Sequence, residues 1–221
     1  MAQYMNKLAL FDCDGTMVDS QASICTSMQQ AFHRHDLPAP DHHQVRRIVG
    51  LSLPEAVRQL LPEHDDAGVL AIAQSYKDIF RELRLSGGIQ EPLYDGLSEL
   101  INKLEVAGWM LGVATGKSDR GLRHCLETHG LEGRFVTLQT ADRHPSKPHP
   151  AMAELAMAEA GAAPETTYMI GDTSFDMAMG VNARTRTIGV NWGYHDSHEL
   201  LSAGAEIVVD TMDELHDALH T

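Results

Sequence analysis

Hydrophobic positions divide the chain into segments of two kinds. Residues 7–11 form a short apolar run that ends at Asp12, and its length predicts a buried strand leading into a turn. Between residues 20 and 85 the apolar positions instead recur at helical spacing. Prolines interrupt this second pattern where helices are expected to begin or end: Pro38, Pro40, Pro54 and Pro62. Residues 20–85 are therefore expected to form about four helices.

Beyond residue 88, short apolar runs alternate with segments of helical spacing. Strands are expected over 109–114, 135–138, 167–170, 187–190 and 206–209, and helices over 96–107, 119–129, 150–160, 174–182 and from 212 onward. This alternation predicts right-handed βαβ crossovers and a parallel sheet with helices on both faces. The expected fold is α/β. It has a Rossmann-like core (1–18 and 86–221) and a small all-helical cap (19–85) inserted after the first strand.

Composition limits the class of partner. The 221 residues include 31 Asp and Glu against 17 Lys and Arg, a net charge of -14, which disfavours nucleic acid and anionic membrane surfaces. A small anionic substrate stays open, because one lysine, one metal ion and a few backbone N–H groups make a pocket locally positive.

The chain is also expected to be cytoplasmic. No apolar run approaches the roughly 20 residues that span a bilayer, and the N-terminal sequence lacks the features of a signal peptide. The three cysteines form no C-x-x-C pair, so neither a disulfide framework nor a zinc ribbon follows from them. The pattern says nothing about oligomeric state.

Two carboxylates follow the first predicted strand, in Asp12-Cys13-Asp14-Gly15-Thr16. Strand alternation places Cys13 opposite to its neighbours, so both carboxylates lie near one edge of the sheet. They repel each other unless a cation lies between them or their protonation states differ. Both conditions suit phosphoryl transfer with Mg²⁺, one Asp acting as nucleophile and the other as proton shuttle. A simple Asp-rich turn is the alternative.

Three further polar groups follow other predicted strands. Thr115 and Gly116 offer a hydroxyl and a backbone N–H to an anion, although Thr115 also suits a helix cap. Lys147 lies in a proline-rich loop, where it either balances the carboxylates and holds a phosphoryl group or is simply exposed. Asp172 and Asp176 are one helical turn apart. Asp172 is a candidate for a direct metal ligand or for a helix N-cap. Asp176 is a candidate for a hydrogen-bond partner of Lys147 or of a metal-bound water.

These groups are expected to meet in space, because ligands of open α/β sheets bind beyond the carboxyl ends of the strands. The motif order D-x-D-G-T, T-G-K, K-P and G-D-x-x-x-D, from Ala9 to Asn191, resembles the haloacid-dehalogenase superfamily. The helical insertion is similar to the C1 cap of the subfamily that includes phosphoglycolate phosphatase and β-phosphoglucomutase. One departure is Asn182-Ala183-Arg184, which stands where such phosphatases usually carry an Ala-Gly turn.

The resemblance implies a role for each motif residue. Asp12 is expected to form an aspartyl phosphate. Asp14 is expected to act as general acid and base and to offer a backbone carbonyl to Mg²⁺. The remaining expected roles are phosphate binding by Thr115, Gly116 and Lys147, metal ligation by Asp12, Asp14 and Asp172, and support by Asp176. The expected enzyme is a Mg²⁺-dependent phosphatase of small phosphorylated metabolites.

Several alternatives stay open at this point. Mutases that resemble β-phosphoglucomutase carry Arg in a G-x-S-R cap segment, where this chain has Gly50-Leu51-Ser52-Leu53, with Arg46, Arg47 and Arg58 nearby. Phosphonatases need a cap lysine, and only Lys77 is available in the predicted cap. Metal-free dehalogenases lack the second Asp of the first motif, so Asp14 and the segment 171–176 argue against this alternative. A non-catalytic domain that binds phosphate or is phosphorylated on Asp12 is a further class. Phosphoglycolate is the favoured substrate by resemblance, with pyrophosphate, a sugar phosphate or a nucleotide as alternatives.

Overall fold

A six-stranded parallel sheet forms the centre of the computed structural model, which describes residues 6–220. Its strand order is β3-β2-β1-β4-β5-β6. The strands are β1 (Asn6–Phe11), β2 (Met110–Thr115), β3 (Thr137–Thr140), β4 (Ala162–Gly171), β5 (Arg186–Val190) and β6 (Ile207–Val209). The expected α/β, Rossmann-like class is confirmed. Because the order reverses between β1 and β4, the carboxyl ends of these two strands border the crevice in which such sheets bind ligands.

Helices cover both faces of the sheet. On one face, α5 (Leu97–Val106), α6 (Asp119–Thr128) and α10 (Met212–Ala218) bury Leu100, Leu122 and Leu215 against apolar strand residues. On the other face, α7 (Ala151–Ala160) and α8 (Ser174–Asn182) bury Met152 and Met179. The short α9 (Ser197–Ser202) packs beside α8, β5 and β6. Within the described residues, no helix is both long enough and apolar enough to cross a membrane.

Four helices lie between β1 and α5 in the range 21–85: α1 (Gln21–Arg34), α2 (His42–Arg46), α3 (Leu53–Leu60) and α4 (Asp66–Leu85). They share an apolar cluster, which Tyr194 and Phe175 join from the part of the chain beyond α5. Side chains of Asp41 and Asp65 accept the N-cap hydrogen bonds of α2 and α4. The segments that connect these helices to the sheet run side by side, since Asp19 N–H donates to Pro92 O and Tyr94 N–H donates to Met17 O.

Two strands differ from the predicted ranges by more than one residue at an end. β4 begins at Ala162 rather than residue 167, because Ala162 pairs with Asn6 ahead of an irregularity in the register. Its first residues are polar or half-exposed, so apolar patterning does not reveal them. β3 covers Thr137–Thr140 rather than 135–138. Phe135 is buried in the preceding loop, and the buried polar side chain of Gln139 is satisfied by Glu159.

The turn after α8 keeps a left-handed residue although no glycine is present. Arg184 has φ +61°, and the N–H of Thr185 donates to Gly180 O at 3.0 Å. This is the position after a helix where glycine is usual, because a Cβ is crowded there. The departure from the Ala-Gly sequence therefore leaves the turn geometry in place at the cost of backbone strain at Arg184.

Candidate active site

The motif residues meet at the carboxyl edge of the sheet. Asp12 directly follows β1, and its N–H donates to Ile170 O in β4 at 2.9 Å. The turn that follows needs glycine, because Gly15 has φ +84° and a Cβ there would lie 2.2 Å from an oxygen of Asp172. A tight turn at Gly15 therefore brings the first and fourth motifs together.

Lys147 connects two of the carboxylates. Its ammonium lies 2.9 Å from Asp12 Oδ1 and 2.6 Å from Asp176 Oδ1. The other oxygen of Asp176 accepts from the backbone N–H and the hydroxyl of Thr173 at 3.0 and 2.6 Å. Lys147 is only 1% exposed, so its burial excludes the interpretation of this residue as a surface lysine. Asp176 therefore fixes Lys147 beside Asp12.

Asp172 is held by the turns around it. Its Oδ1 accepts from the Thr16 hydroxyl at 2.7 Å, and its Oδ2 accepts from the Tyr194 N–H at 2.9 Å. The Asp172 carbonyl accepts from the N–H of His195, whose Nδ1 in turn accepts from the Ser174 N–H. These bonds orient a fully buried carboxylate toward the same crevice as Asp12.

Burial dominates the titration of this cluster. It raises the pKa of Asp12 to about 7, against the opposing effect of the Lys147 ammonium. Burial, and then repulsion from Asp176 and Asp12, raises the pKa of Asp172 well above its usual range. Burial lowers the pKa of Lys147, but its attraction to the two nearby carboxylates is stronger, so the net pKa lies above the ordinary value. The site therefore has excess negative charge that a cation would stabilise.

The carboxylates fit a divalent metal ion. Among residues 6–220, Asp12, Asp172 and Asp176 each place an oxygen within 4.8 Å of the others. Asp12 Oδ2 is buried and has no hydrogen-bond partner among those residues. Hard divalent cations prefer such oxygen ligands. Asp176 is paired with the Lys147 ammonium through one oxygen and accepts two hydrogen bonds from Thr173 on the other. Each oxygen of Asp172 accepts a single hydrogen bond from an uncharged donor, so Asp12 and Asp172 are the better donors.

Asp14 lies at the edge of this cluster and is 8% exposed. Its Oδ1 accepts a hydrogen bond from the Ser20 hydroxyl and lies 2.8 Å from Lys117 Nζ. Lys117 also donates to Glu91 Oε1 at 2.6 Å. Burial lowers the pKa of Lys117, but its carboxylate neighbours raise it further, to well above the ordinary value. Burial raises the pKa of Glu91, but the combined attraction of Lys117 and Arg84 outweighs it, so the net pKa lies below the ordinary value. The Lys117–Glu91 ion pair thus stays charged.

The segment between α2 and α3 closes over the second motif. A Cβ on Gly116 would lie 2.4 Å from the Leu51 carbonyl oxygen and 2.8 Å from that of Gly50. The N–H of Ser52 donates to the Ser146 hydroxyl, next to Lys147, at 2.8 Å. Gly116 is therefore required by a close backbone approach between the helical segment and the sheet.

A cavity of about 570 Å³ lies between α4 and the motif loops. Asp12, Asp14 and Thr115 line its floor. The rings of Tyr76 and Phe80, stacked with centroids 5.7 Å apart, belong to the wall provided by α4. This volume is in the range that holds a small organic ligand.

Every motif residue predicted from the sequence lies at this site, but several of their partners were missed. Lys117 directly follows Thr115 and Gly116 in the sequence, and this adjacency indicates that it lies near the site. Ser20, Glu91 and Tyr194 belong to no motif. The folded chain brings Ser20 to Asp14, Tyr194 to Asp172 and Glu91 to Lys117. Lys77 lines the cavity from α4 and is exposed.

Comparison with known proteins shows extended similarity. Residues 9–190 match the family described as haloacid dehalogenase-like hydrolase. The "Probable phosphatase IndB" of Dickeya dadantii is 37% identical over 98% of this chain and 94% of its own length. The "Phosphoglycolate phosphatase" of Vibrio parahaemolyticus is 27% identical over 97% of this chain and 96% of its own length. A crystal structure of a "predicted phosphatase" from Clostridium acetobutylicum superimposes with a TM-score of 0.88 at 26% identity, covering 98% of this chain and 99% of that one.

Proposed function

The chain belongs to the haloacid dehalogenase-like hydrolase family, and we propose that it is a Mg²⁺-dependent phosphatase acting through an aspartyl phosphate on Asp12. The observation that carries the proposal is the buried ion pair of Lys147 with Asp12, beside Asp172. One lysine, one carboxylate with an unpartnered oxygen and one further carboxylate are the groups that phosphoryl transfer to a protein oxygen needs.

In the proposed reaction, Asp12 attacks the phosphorus of a monoester. An Asp12 oxygen–phosphorus bond forms while the bond to the leaving alcohol oxygen breaks, and Asp14 gives that oxygen a proton. Asp14 then takes a proton from water, which attacks phosphorus and releases inorganic phosphate and free Asp12. Thr115, the Gly116 N–H and Lys147 hold the phosphoryl oxygens. Asp12, Asp172 and the Asp14 backbone carbonyl would hold Mg²⁺, which supplies neutralising charge when bound.

We assign residues 19–85 the role of a cap over this site. The close approach of Leu51 to Gly116 and the hydrogen bond from Ser52 to Ser146 support the assignment, because they tie the helical segment to both phosphate-binding loops. A closed cap excludes water while the phosphoryl group is transferred. The cavity beneath it would contain the leaving group.

The proposed substrate is a small phosphorylated metabolite. The cavity of about 570 Å³ has room for a phosphoryl group and a leaving group of modest size. Phosphoglycolate is one candidate, supported by the name of the Vibrio parahaemolyticus relative. A cytoplasmic location is proposed with it, since Cys13, Cys25 and Cys125 are all free thiols.

The phosphomutase alternative is weakened by the arginines near Gly50. Arg46 donates to the carbonyls of Gly193 and Tyr194. Arg47 pairs with Glu199, and Arg58 donates to the carbonyl of His64 and pairs with Asp66. Each of these three arginines near Gly50 is therefore engaged elsewhere.

A panel of phosphorylated metabolites, assayed for released phosphate with Mg²⁺ and with a chelator, tests the proposal. We expect hydrolysis of at least one monoester that stops on chelation and returns with Mg²⁺. A mutase would instead yield an isomeric phosphate ester without free phosphate. Absence of turnover across the panel with Mg²⁺ bound would favour the non-catalytic phospho-acceptor domain.

A further inference from the structure

Four charged side chains form a largely buried series of ion pairs that runs from α4 to Asp14. Arg84, in the last turn of α4, lies 3.3 Å from Glu91, in the segment that returns to the sheet. Glu91 lies 2.6 Å from Lys117 Nζ, which lies 2.8 Å from Asp14 Oδ1. The side chains of Lys117, Glu91 and Asp14 are 9%, 7% and 11% exposed. These ion pairs therefore connect helix α4 to Asp14, the candidate proton donor.

Stability alone gives a poor reason for such a network. Desolvating an ion pair offsets most of its attraction, and an apolar replacement of similar size is often as stable. Lys117 also lies beside an apolar surface, with Nζ 5.8 Å from the centroid of the Phe80 ring. A methionine in place of the lysine would suit that surface. What the lysine adds is a fixed position for each of two carboxylates.

The contacts of Asp14 show what that position does. Among the described residues, the hydrogen bond from Ser20 and the ion pair with Lys117 both fall on Oδ1. This leaves Oδ2 to exchange a proton, and Asp14 lines the cavity. Ser20 is the last residue of the segment that leads from β1 to α1, and Glu91 lies in the segment that returns from α4 to the sheet. Both segments therefore contribute to the orientation of Asp14.

We propose that Lys117, anchored by Glu91, is a positioning residue that directs Asp14 Oδ2 toward the leaving-group oxygen of the substrate. The proposal rests on the proposed function, in which Asp14 protonates that oxygen. Phosphoryl transfer itself, carried by Asp12 and Lys147, does not require Lys117. Only the proton transfer does.

The consequence is a dependence on the leaving group. An alkoxide leaves only when it is protonated, whereas 4-nitrophenolate is a stable anion that leaves without a proton. A misplaced Asp14 therefore slows hydrolysis of alkyl phosphates and spares 4-nitrophenyl phosphate. A general disruption of the site, which also displaces Asp12, slows both.

The test compares kcat/KM for the best alkyl phosphate of the metabolite panel with kcat/KM for 4-nitrophenyl phosphate, because this parameter reports the step that forms the aspartyl phosphate. In Lys117→Met we expect a loss of about 10²-fold on the alkyl ester, within the range of general acid catalysis, and a loss of only a few-fold on 4-nitrophenyl phosphate. Lys117→Arg should recover part of the alkyl activity. Lys103→Met, which removes an exposed lysine paired with Asp213, is the matched control and should retain both activities.

Glu91→Gln covers the case in which Lys117→Met fails to fold. It keeps the size of the side chain and removes the charge that anchors the lysine. We therefore expect the same selective loss of kcat/KM on the alkyl ester, but a smaller one than in Lys117→Met. Equal losses on the two esters, or no loss on either, in the variant that folds would overturn the proposal. If the wild type hydrolyses neither ester with Mg²⁺, the proposed function fails first and the role of Lys117 fails with it.

Discussion

The ammonium of Lys147 lies 2.9 Å from Oδ1 of Asp12, and both side chains are almost completely buried. Burial of a charged pair is costly unless further hydrogen bonds stabilise it. Asp176 provides one of these on the lysine side, while Oδ2 of Asp12 has no hydrogen-bond partner among the described residues. The pair therefore leaves one buried carboxylate oxygen available to a metal ion or to the phosphorus of a substrate.

Replacing Asp12 by Asn is expected to change how the stability of the metal-free protein depends on pH. Burial raises the folded-state pKa of Asp12 from 3.8 to about 7, so the folded protein binds this proton more tightly than the unfolded chain does. The contribution of Asp12 to folding is therefore fully present at acid pH and is lost as the pH rises from about 4 to about 7.

Urea unfolding in the presence of a chelator, at pH about 5 and about 8, measures this difference. The wild type should lose more free energy of unfolding between the two pH values than Asp12→Asn does. Asp213→Asn, which changes an exposed carboxylate, should behave as the wild type. An equal loss in wild type and Asp12→Asn would contradict the assigned environment of Asp12.

Replacing Gly116 by Ala is expected to impair closure of the helical segment over the site. The new Cβ would lie within 3 Å of the carbonyl oxygens of both Gly50 and Leu51, and backbone atoms cannot turn away as a side chain can. We expect kcat/KM to fall by at least about 10-fold, since small displacements of positioning groups have large kinetic effects. Gly121→Ala is the control, because its Cβ would meet only side-chain atoms, the Ser118 hydroxyl at 3.2 Å and the Lys117 Cβ at 4.0 Å, and no backbone carbonyl. Similar kinetics in the two variants would contradict the closed arrangement.

Replacing Arg184 by Gly is expected to stabilise the protein. Arg184 is exposed and has φ +61°, a conformation that costs a residue with a Cβ about 1–2 kcal/mol. Glycine also loses more backbone entropy on folding, which offsets part of the relieved strain. We therefore expect the free energy of unfolding to rise by roughly 0.5–1 kcal/mol. Denaturant unfolding measures it. Asp36→Gly, at φ +55°, should gain less, because Asp tolerates this conformation better. If Arg184→Gly is less stable than the wild type, the Arg184 side chain stabilises the fold by more than its backbone strain costs.

The order of strands and helices could be predicted from the sequence because burial on both faces of a parallel sheet demands continuous apolar runs. Asp12, Thr115 and Asp172 each come directly after such a run or end it, so their meeting at one edge follows from topology alone. The first residues of β4 and the position of β3 could not be predicted, because their pairing involves polar side chains. Helix α9 also carries too short a pattern to stand out.

The partners of the motif residues are harder to predict. Glu91 and Lys117 are 26 positions apart, and Tyr194 reaches Asp172 across 22. Such contacts depend on how loops from different crossovers meet, which local spacing does not encode. Ser20 is closer to Asp14, six residues along the chain, but a serine after a turn is too common to single out. The sequence therefore predicts the motif residues, whereas the side chains and backbone groups that hydrogen-bond to them are found only in the structure.

A covalent phosphoryl group on Asp12 is expected to accumulate in Asp14→Asn supplied with 4-nitrophenyl phosphate and Mg²⁺. This variant can release 4-nitrophenolate without an acid but lacks the base that activates water, so the intermediate should accumulate. Intact-mass and peptide mass spectrometry are expected to find one phosphoryl group, located on Asp12, with a matching burst of 4-nitrophenolate. A burst or steady turnover with Asp12 unmodified, or with the phosphoryl group on another residue, would show that Asp12 is not the nucleophile.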